Sequence, residues 1–162
     1  GLMVGSDKER TRAQRLTGLL EDGRAAEADG FASFWLPQVP GYLDAMTAVA
    51  LLGQVTDRIE IGTAVVPIQT RHPLTMAQQA LTTQAACAGR FTLGIGPSHH
   101  WIVADQLGLP YERPARLVGD YLDVLDAQRT WSEARSQYLD QLLATHRAAA
   151  DIDRLLGTES GL

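Results

Sequence analysis

One cysteine in 162 residues leaves no internal disulfide to be made, and Cys87 reads as a small buried residue in a chain suited to a reducing compartment. Long apolar runs are missing as well. No stretch approaches the roughly 20 residues of a membrane span and no signal-peptide pattern opens the chain, so a cytoplasmic protein without a membrane partner is expected. The 14 Lys and Arg are scattered singly against 19 Asp and Glu, a net charge of -5, which argues against a nucleic-acid partner. No Gly-Lys-Ser/Thr run cradles a phosphate, and Gly94-Ile-Gly96 lacks the third glycine of the dinucleotide fingerprint. His72, His99, His100 and His146 come without a convincing set of partner ligands, so no metal site is expected. There is no fixed-period repeat and no low-complexity segment.

What remains is 45% hydrophobic and 20% charged, the balance of one ordinary soluble domain. Gly1 to Gly5 reads as the end of a strand whose beginning is absent, so the amino end is expected to be trimmed. Ser6 to Glu9 has the spacing of a capping box, and a helix should follow with Leu16, Leu19, Leu20 and Ala26 on one face, stopping at Gly30. Phe31 to Leu36 is then a short buried strand. Asp44 suits the cap of a second helix that ends at Gly53. Ile59 to Val66 is a β-branched third strand, after which Pro67 cannot continue a central ladder. Pro73 suits the first turn of a helix running to about Ala88, closed by Gly89. Arg90 to Ile95 forms the fourth strand, and Gly96 to Trp101 a loop that leads to a turn with Gly108 and Pro110.

Pro114 starts a further helix, and Thr130 with Glu133 makes a second capping box. Trp131, Ala134, Tyr138, Leu142, Ala149, Ile152 and Leu156 then recur at helical spacing until Gly157. Strand and helix alternate four times, and the strands are near-continuously apolar. Both features predict a parallel sheet covered by helices, an α/β fold. A full eight-fold barrel takes about 250 residues, so a partial (β/α) barrel of about four strands is expected over 1–128, with an amphipathic helix over 129–162.

Four pieces carry a resemblance when taken together: Glu27-Ala-Asp-Gly-Phe31, Thr56-Asp-Arg-Ile-Glu-Ile-Gly-Thr63, Arg71-His-Pro73 and Gly89-Arg-Phe-Thr-Leu-Gly-Ile-Gly96. In order and spacing they resemble the amino-terminal half of the bacterial-luciferase-like oxidoreductases, a TIM-barrel family, over about Gly1 to Asp126. The tail does not match what would follow. The resemblance implies hydride transfer between an organic small-molecule substrate and the deazaflavin coenzyme F(420), with FMN as the alternative. It also implies a cis, non-proline peptide at Ala64-Val65 pressed against the coenzyme ring, where the residues alone read as a plain buried strand end.

By the same resemblance Gln38 stands where the family often has Asp or His. It could hydrogen-bond the ring without offering a titrating proton, or be a simple loop residue. Gly96 permits close backbone approach. Ser98 and His99 stand where the deazaflavin branch has a glycine and a catalytic Glu, and an imidazole can serve as acid or base near neutral pH. His100 is the rival for that role, and Trp101 packs under the loop or stacks on substrate. Half a barrel exposes two strand edges, so a homo-oligomer is expected. The alternative function is a non-catalytic half-barrel that assembles through its edges and tail helix.

Overall fold

The computed structural model describes residues 2–3 and 11–156, and among these the side chains at 131–136, 149–153 and 155–156 are left aside. The order is β1 (Leu2–Met3), α1 (Arg12–Ala28), β2 (Ser33–Leu36), α2 (Ala45–Gly53), β3 (Glu60–Thr63), β4 (Val66–Pro67), α3 (Pro73–Ala86), β5 (Phe91–Thr92), β6 (Ile95–Gly96) and α4 (Pro114–Leu156). By internal contacts the chain groups into two units, Gly1–Leu125 and Asp126–Leu162.

The first unit is a parallel sheet in the order β1-β2-β3-β5 with its helices packed against it, plus a short parallel ladder of β4 and β6. Phe34, Ile61, Met46, Val49, Leu52 and Met76 are wholly or almost wholly buried between sheet and helices. The first three helices each start where a side chain can take up orphan backbone donors. Thr11 and Gln14 form a reciprocal capping box for α1, Asp44 accepts from Thr47 N at α2, and His72 accepts from Leu74 N ahead of Pro73 at α3. The expected box at Ser6 to Glu9 and most of the strand at Gly1 to Gly5 lie outside the described residues, and the first described helix begins at Arg12 instead. Gly30 and Gly89 follow α1 and α3 with φ of 82° and 85°, the left-handed closure expected of them.

Two of the family-like motifs hold one end of this sheet. Glu27, at the end of α1, turns its carboxylate onto the backbone N–H groups of Asp57, Arg58 and Ile59, at 2.6 to 3.1 Å. Those bonds, that to Arg58 foremost, hold its pKa below the ordinary 4.5. Arg90 enters the same loop from the other side and donates to the carbonyls of Gly53, Thr56 and Ile59 and to the Thr56 hydroxyl. The turn before β3 is thereby pinned at the amino-terminal end of the strands, away from the end where sites form in such folds.

Three readings of the sequence need correction. The third and fourth strands are each broken: β3 stops at Thr63 and resumes as β4 after a cis Ala64-Val65 peptide, while β5 and β6 are separated by Leu93 and Gly94. Pro67 does belong to a ladder, paired with Gly96, because the two-stranded β4-β6 ladder leaves its ring side free of a partner strand. Finally, Thr130 opens no new helix. It lies inside α4 and its hydroxyl donates to Asp126 O, so the second capping box does not form.

The second unit, described by itself, is helical through Leu156; the expected stop at Gly157 lies outside the described residues. Tyr138, Leu139, Leu142 and Leu143 are exposed on it.

Candidate active site

At the carboxyl-terminal ends of the strands the chain does something unusual at each crossing. Ala64 N donates to Leu36 O at 2.8 Å, the cis peptide follows, and Val66 N donates to Gly94 O at 2.8 Å. Thr63, fully buried, fastens the bend: its hydroxyl donates to Gly94 O and accepts from Gly94 N, both at 2.9 Å. The result turns Val65 outward, 39% exposed, beside two glycines. A Cβ on Gly96 would meet Val65 Cγ2 at 2.9 Å, and one on Gly94 would meet Thr63 O at 1.9 Å. An apolar ledge flanked by two glycines is the product.

Beyond β6 the loop is built rather than loose. Ser98 takes φ of 59° and its carbonyl accepts from Tyr111 Oη at 3.0 Å. His99 is exposed; its carbonyl accepts from Ile102 N and Val103 N, which opens a π-helical turn over Trp101–Gln106 where the sequence suggested irregular loop. Among the described residues the His99 ring has no hydrogen-bond partner. The ring of His100 packs edge-on to Tyr111, centroids 5.4 Å apart, and Trp101 is 53% exposed rather than packed under the loop. Gln69 ties the two loops together by donating to Pro97 O at 2.8 Å, its own Oε1 being buried without a partner among the described residues.

Gln38 is partly buried, and its Oε1 accepts from Ala45 N at 2.8 Å, at the start of α2. It lines a cavity of about 320 Å³ with Pro40, Pro67, Thr70, Arg71, Ile102 and Leu107. Arg71 is held there by an ion pair with Asp44, and its carbonyl accepts from the buried Tyr121 hydroxyl at 2.9 Å. Ala64, Val65 and Gly96 are thus brought together, with Ser98 two residues on. Gln38 and His99 share that end of the strands. Arg71 and Tyr111 carry more of the site's geometry than their sequence positions suggested; the Arg-His-Pro motif was the available signal for the first.

The family model for luciferase-like monooxygenases matches residues 2–152, which reaches beyond the stretch that carries the motifs. The chain belongs to the luciferase-like monooxygenase family. A Mycobacterium tuberculosis protein described as a candidate coenzyme F(420)-dependent oxidoreductase is 32% identical over 108 residues, 67% of this chain and 30% of that protein. This member therefore spans about a third of the length of such curated relatives. Its fold is that of the oxygenating constituent of 3,6-diketocamphane monooxygenase of Pseudomonas putida, solved with FMN. The TM-score there is 0.70, at 16% identity, over 77% of this chain and 38% of that one. A separate short match of 38 residues, 24% of the chain, is 60% identical to 9% of the cobalt-zinc-cadmium resistance protein CzcC of Cupriavidus metallidurans. Among the described residues no helix is long and apolar enough to cross a membrane.

Proposed function

We propose that this luciferase-like chain forms the amino-terminal wall of an oxidoreductase site for the deazaflavin coenzyme F(420), with FMN as the alternative, and takes a small organic substrate. The observation that carries the reading is the ledge: Val65 turned outward after the cis peptide, with Gly94 and Gly96 keeping its surroundings bare. A flat aromatic ring fits that surface, since a Cβ at Gly96 would collide with the very side chain that supports it. The family relative described as a candidate coenzyme F(420)-dependent oxidoreductase favours the deazaflavin. When bound, that coenzyme supplies or accepts a hydride at its ring.

The chain's own residues then have separate tasks. Val65 covers one face of the ring and excludes water from it. Gln38, its oxygen committed to Ala45 N, offers its N–H groups as donors. His99 is the proton-exchanging group, favoured over His100 because the latter's ring is engaged with Tyr111. These residues recognise the ring; the coenzyme's phosphate has no assigned partner among them. Cytoplasmic placement and self-association complete the proposal.

Fluorescence titration of the 162-residue chain with F(420) and with FMN tests it. Binding of either, weakened at least tenfold in a folded Val65→Asp variant, is expected; no binding of either coenzyme sinks the reading.

The second reading is an assembly module without catalysis, divided near residue 128. The exposed Tyr138, Leu139, Leu142 and Leu143 favour it. Sedimentation of the chain with and without 131–162 discriminates: this reading requires an oligomer that dissociates on truncation.

A further inference from the structure

The two strands of the β4-β6 ladder part company beyond Pro67 and Gly96. One chain coils into the short turn Ile68–Thr70, and the other passes through Pro97 into the segment that carries His99. Among the described residues one hydrogen bond joins 68–72 to 97–100, and it comes from a side chain: Gln69 Nε2 donates to Pro97 O at 2.8 Å. A second side chain holds the next carbonyl along, where Tyr111 Oη donates to Ser98 O at 3.0 Å.

Those two acceptors flank a single Cα. Pro97 O lies in the peptide plane before Ser98 Cα and Ser98 O in the plane after it, and only the φ and ψ rotations of Ser98 connect the two planes. Holding both planes fixes both rotations. The conformation so fixed has φ of 59°, in the left-handed region that a residue with a Cβ adopts only where its surroundings impose it.

The orientation of Gln69 is set by this bond. A carbonyl oxygen can only accept, so the amide nitrogen faces Pro97 O, and Oε1 is left buried with no partner among the described residues. A buried, unpaired acceptor opposes folding, so local packing does not account for the arrangement and the hold on Pro97 does. Tyr111 is steadied in turn by the edge-on ring of His100.

The consequence falls on His99. The peptide before it is held through Ser98 O, and its own carbonyl accepts from Ile102 N and Val103 N at 3.0 Å each. Both planes around His99 Cα are therefore held as well, which gives its Cα–Cβ bond one direction. The exposed ring is aimed by the backbone.

We infer that Gln69 and Tyr111 are positioning residues for His99, acting through the left-handed conformation they impose on Ser98. Gln69 stands two residues past β4, so the aim of His99 is tied to the strand that leaves Val65. The bearing on proton exchange rests on the oxidoreductase reading; the hold on Ser98 does not.

NMR of the full chain, labelled with ¹⁵N and ¹³C and without coenzyme, tests it. A left-handed φ brings a residue's amide hydrogen close to its own Hα, so Ser98 should give a strong intraresidue NOE. Gln69→Met keeps the length of the side chain without a donor; the Ser98 NOE should fall by roughly twofold or more as φ turns negative, and the His99 ring signals should move. Gln69→Lys returns an N–H donor of similar reach and should keep the NOE. Tyr111→Phe keeps the ring against His100 without the hydroxyl and should repeat the loss, which carries the test should Gln69→Met not fold. Unchanged amide shifts in β2 and β3 identify folded variants.

A weak Ser98 NOE in the unmodified chain, an undiminished one in folded Gln69→Met or Tyr111→Phe, or a loss in Gln69→Lys equal to that in Gln69→Met would overturn the inference. Failure of the oxidoreductase reading shows separately, in the coenzyme titration.

Discussion

Replacing Gly94 by alanine puts the architecture of the ledge to a quantitative test. The new Cβ would sit 1.9 Å from Thr63 O, a backbone atom that no rotamer change can move. Relief requires β5 and β6 to shift away from β3, in a region where Thr63 is fully buried. Overpacking of that kind costs about 1–3 kcal/mol. The shift also strains three hydrogen bonds, Thr63 Oγ1 to Gly94 O, Gly94 N to Thr63 Oγ1, and Val66 N to Gly94 O. At about 1 kcal/mol net for each bond lost, the total is about 4–6 kcal/mol, a large share of a typical stability of about 5–15 kcal/mol. With a urea slope of about 2 kcal/mol/M, the midpoint falls by roughly 2–3 M.

Gly96→Ala is the internal control. Its Cβ meets only the end of the Val65 side chain, at 2.9 Å, which can turn aside for about 1 kcal/mol. Urea unfolding followed by circular dichroism compares the two. A Gly94→Ala midpoint no lower than that of Gly96→Ala would refute the claim that Thr63 and Gly94 form a rigid clasp beneath Val65.

Glu27→Ala removes the acceptor of three backbone N–H groups and should destabilise by about 1–2 kcal/mol at pH 7, discounted because the site is partly open to water. Because the folded-state pKa is depressed, this contribution is present above the ordinary value of 4.5 and is lost as pH falls through the folded pKa; the stability gap between the two proteins should close in acid. Arg90→Lys loses the fork that reaches Gly53, Thr56 and Ile59 carbonyls, and about 2 kcal/mol of stability in thermal unfolding is expected. Cys87 is fully buried and desolvation raises its thiol pKa, so a thiol reagent should label it only after urea unfolding; rapid labelling of the native protein would contradict its packing against Val49 and Gly53.

Capping residues and glycines declare themselves locally, which is why Asp44, Pro73, Gly30 and Gly89 delimit helices in the fold much as their spacing suggested. A single-residue acceptor or a φ above zero needs only its neighbours. Motif order carried the rest of the reading: the pieces around Glu27, Thr56 and Gly89 were legible as family-like, although what they do mechanically, clasping the loop before β3 with Glu27 and Arg90, depends on residues about 30 positions apart. The π-helical turn after His99 was not legible, because its extra residue per turn is tolerated only where the surrounding loop, anchored through Tyr111 and Ser98, holds it.

By itself the sequence determined the alternation of strands and helices, the parallel sheet that follows from it and the family, since periodicity, caps and motif spacing are properties of the chain read in order. Tertiary structure alone decided that Thr63 clasps Gly94, that Val65 faces outward, that Arg71 is neutralised by Asp44, and that Gln38 spends its oxygen on Ala45. Each of these is a contact between elements, where direction and charge balance are set by three-dimensional neighbours that no local pattern names.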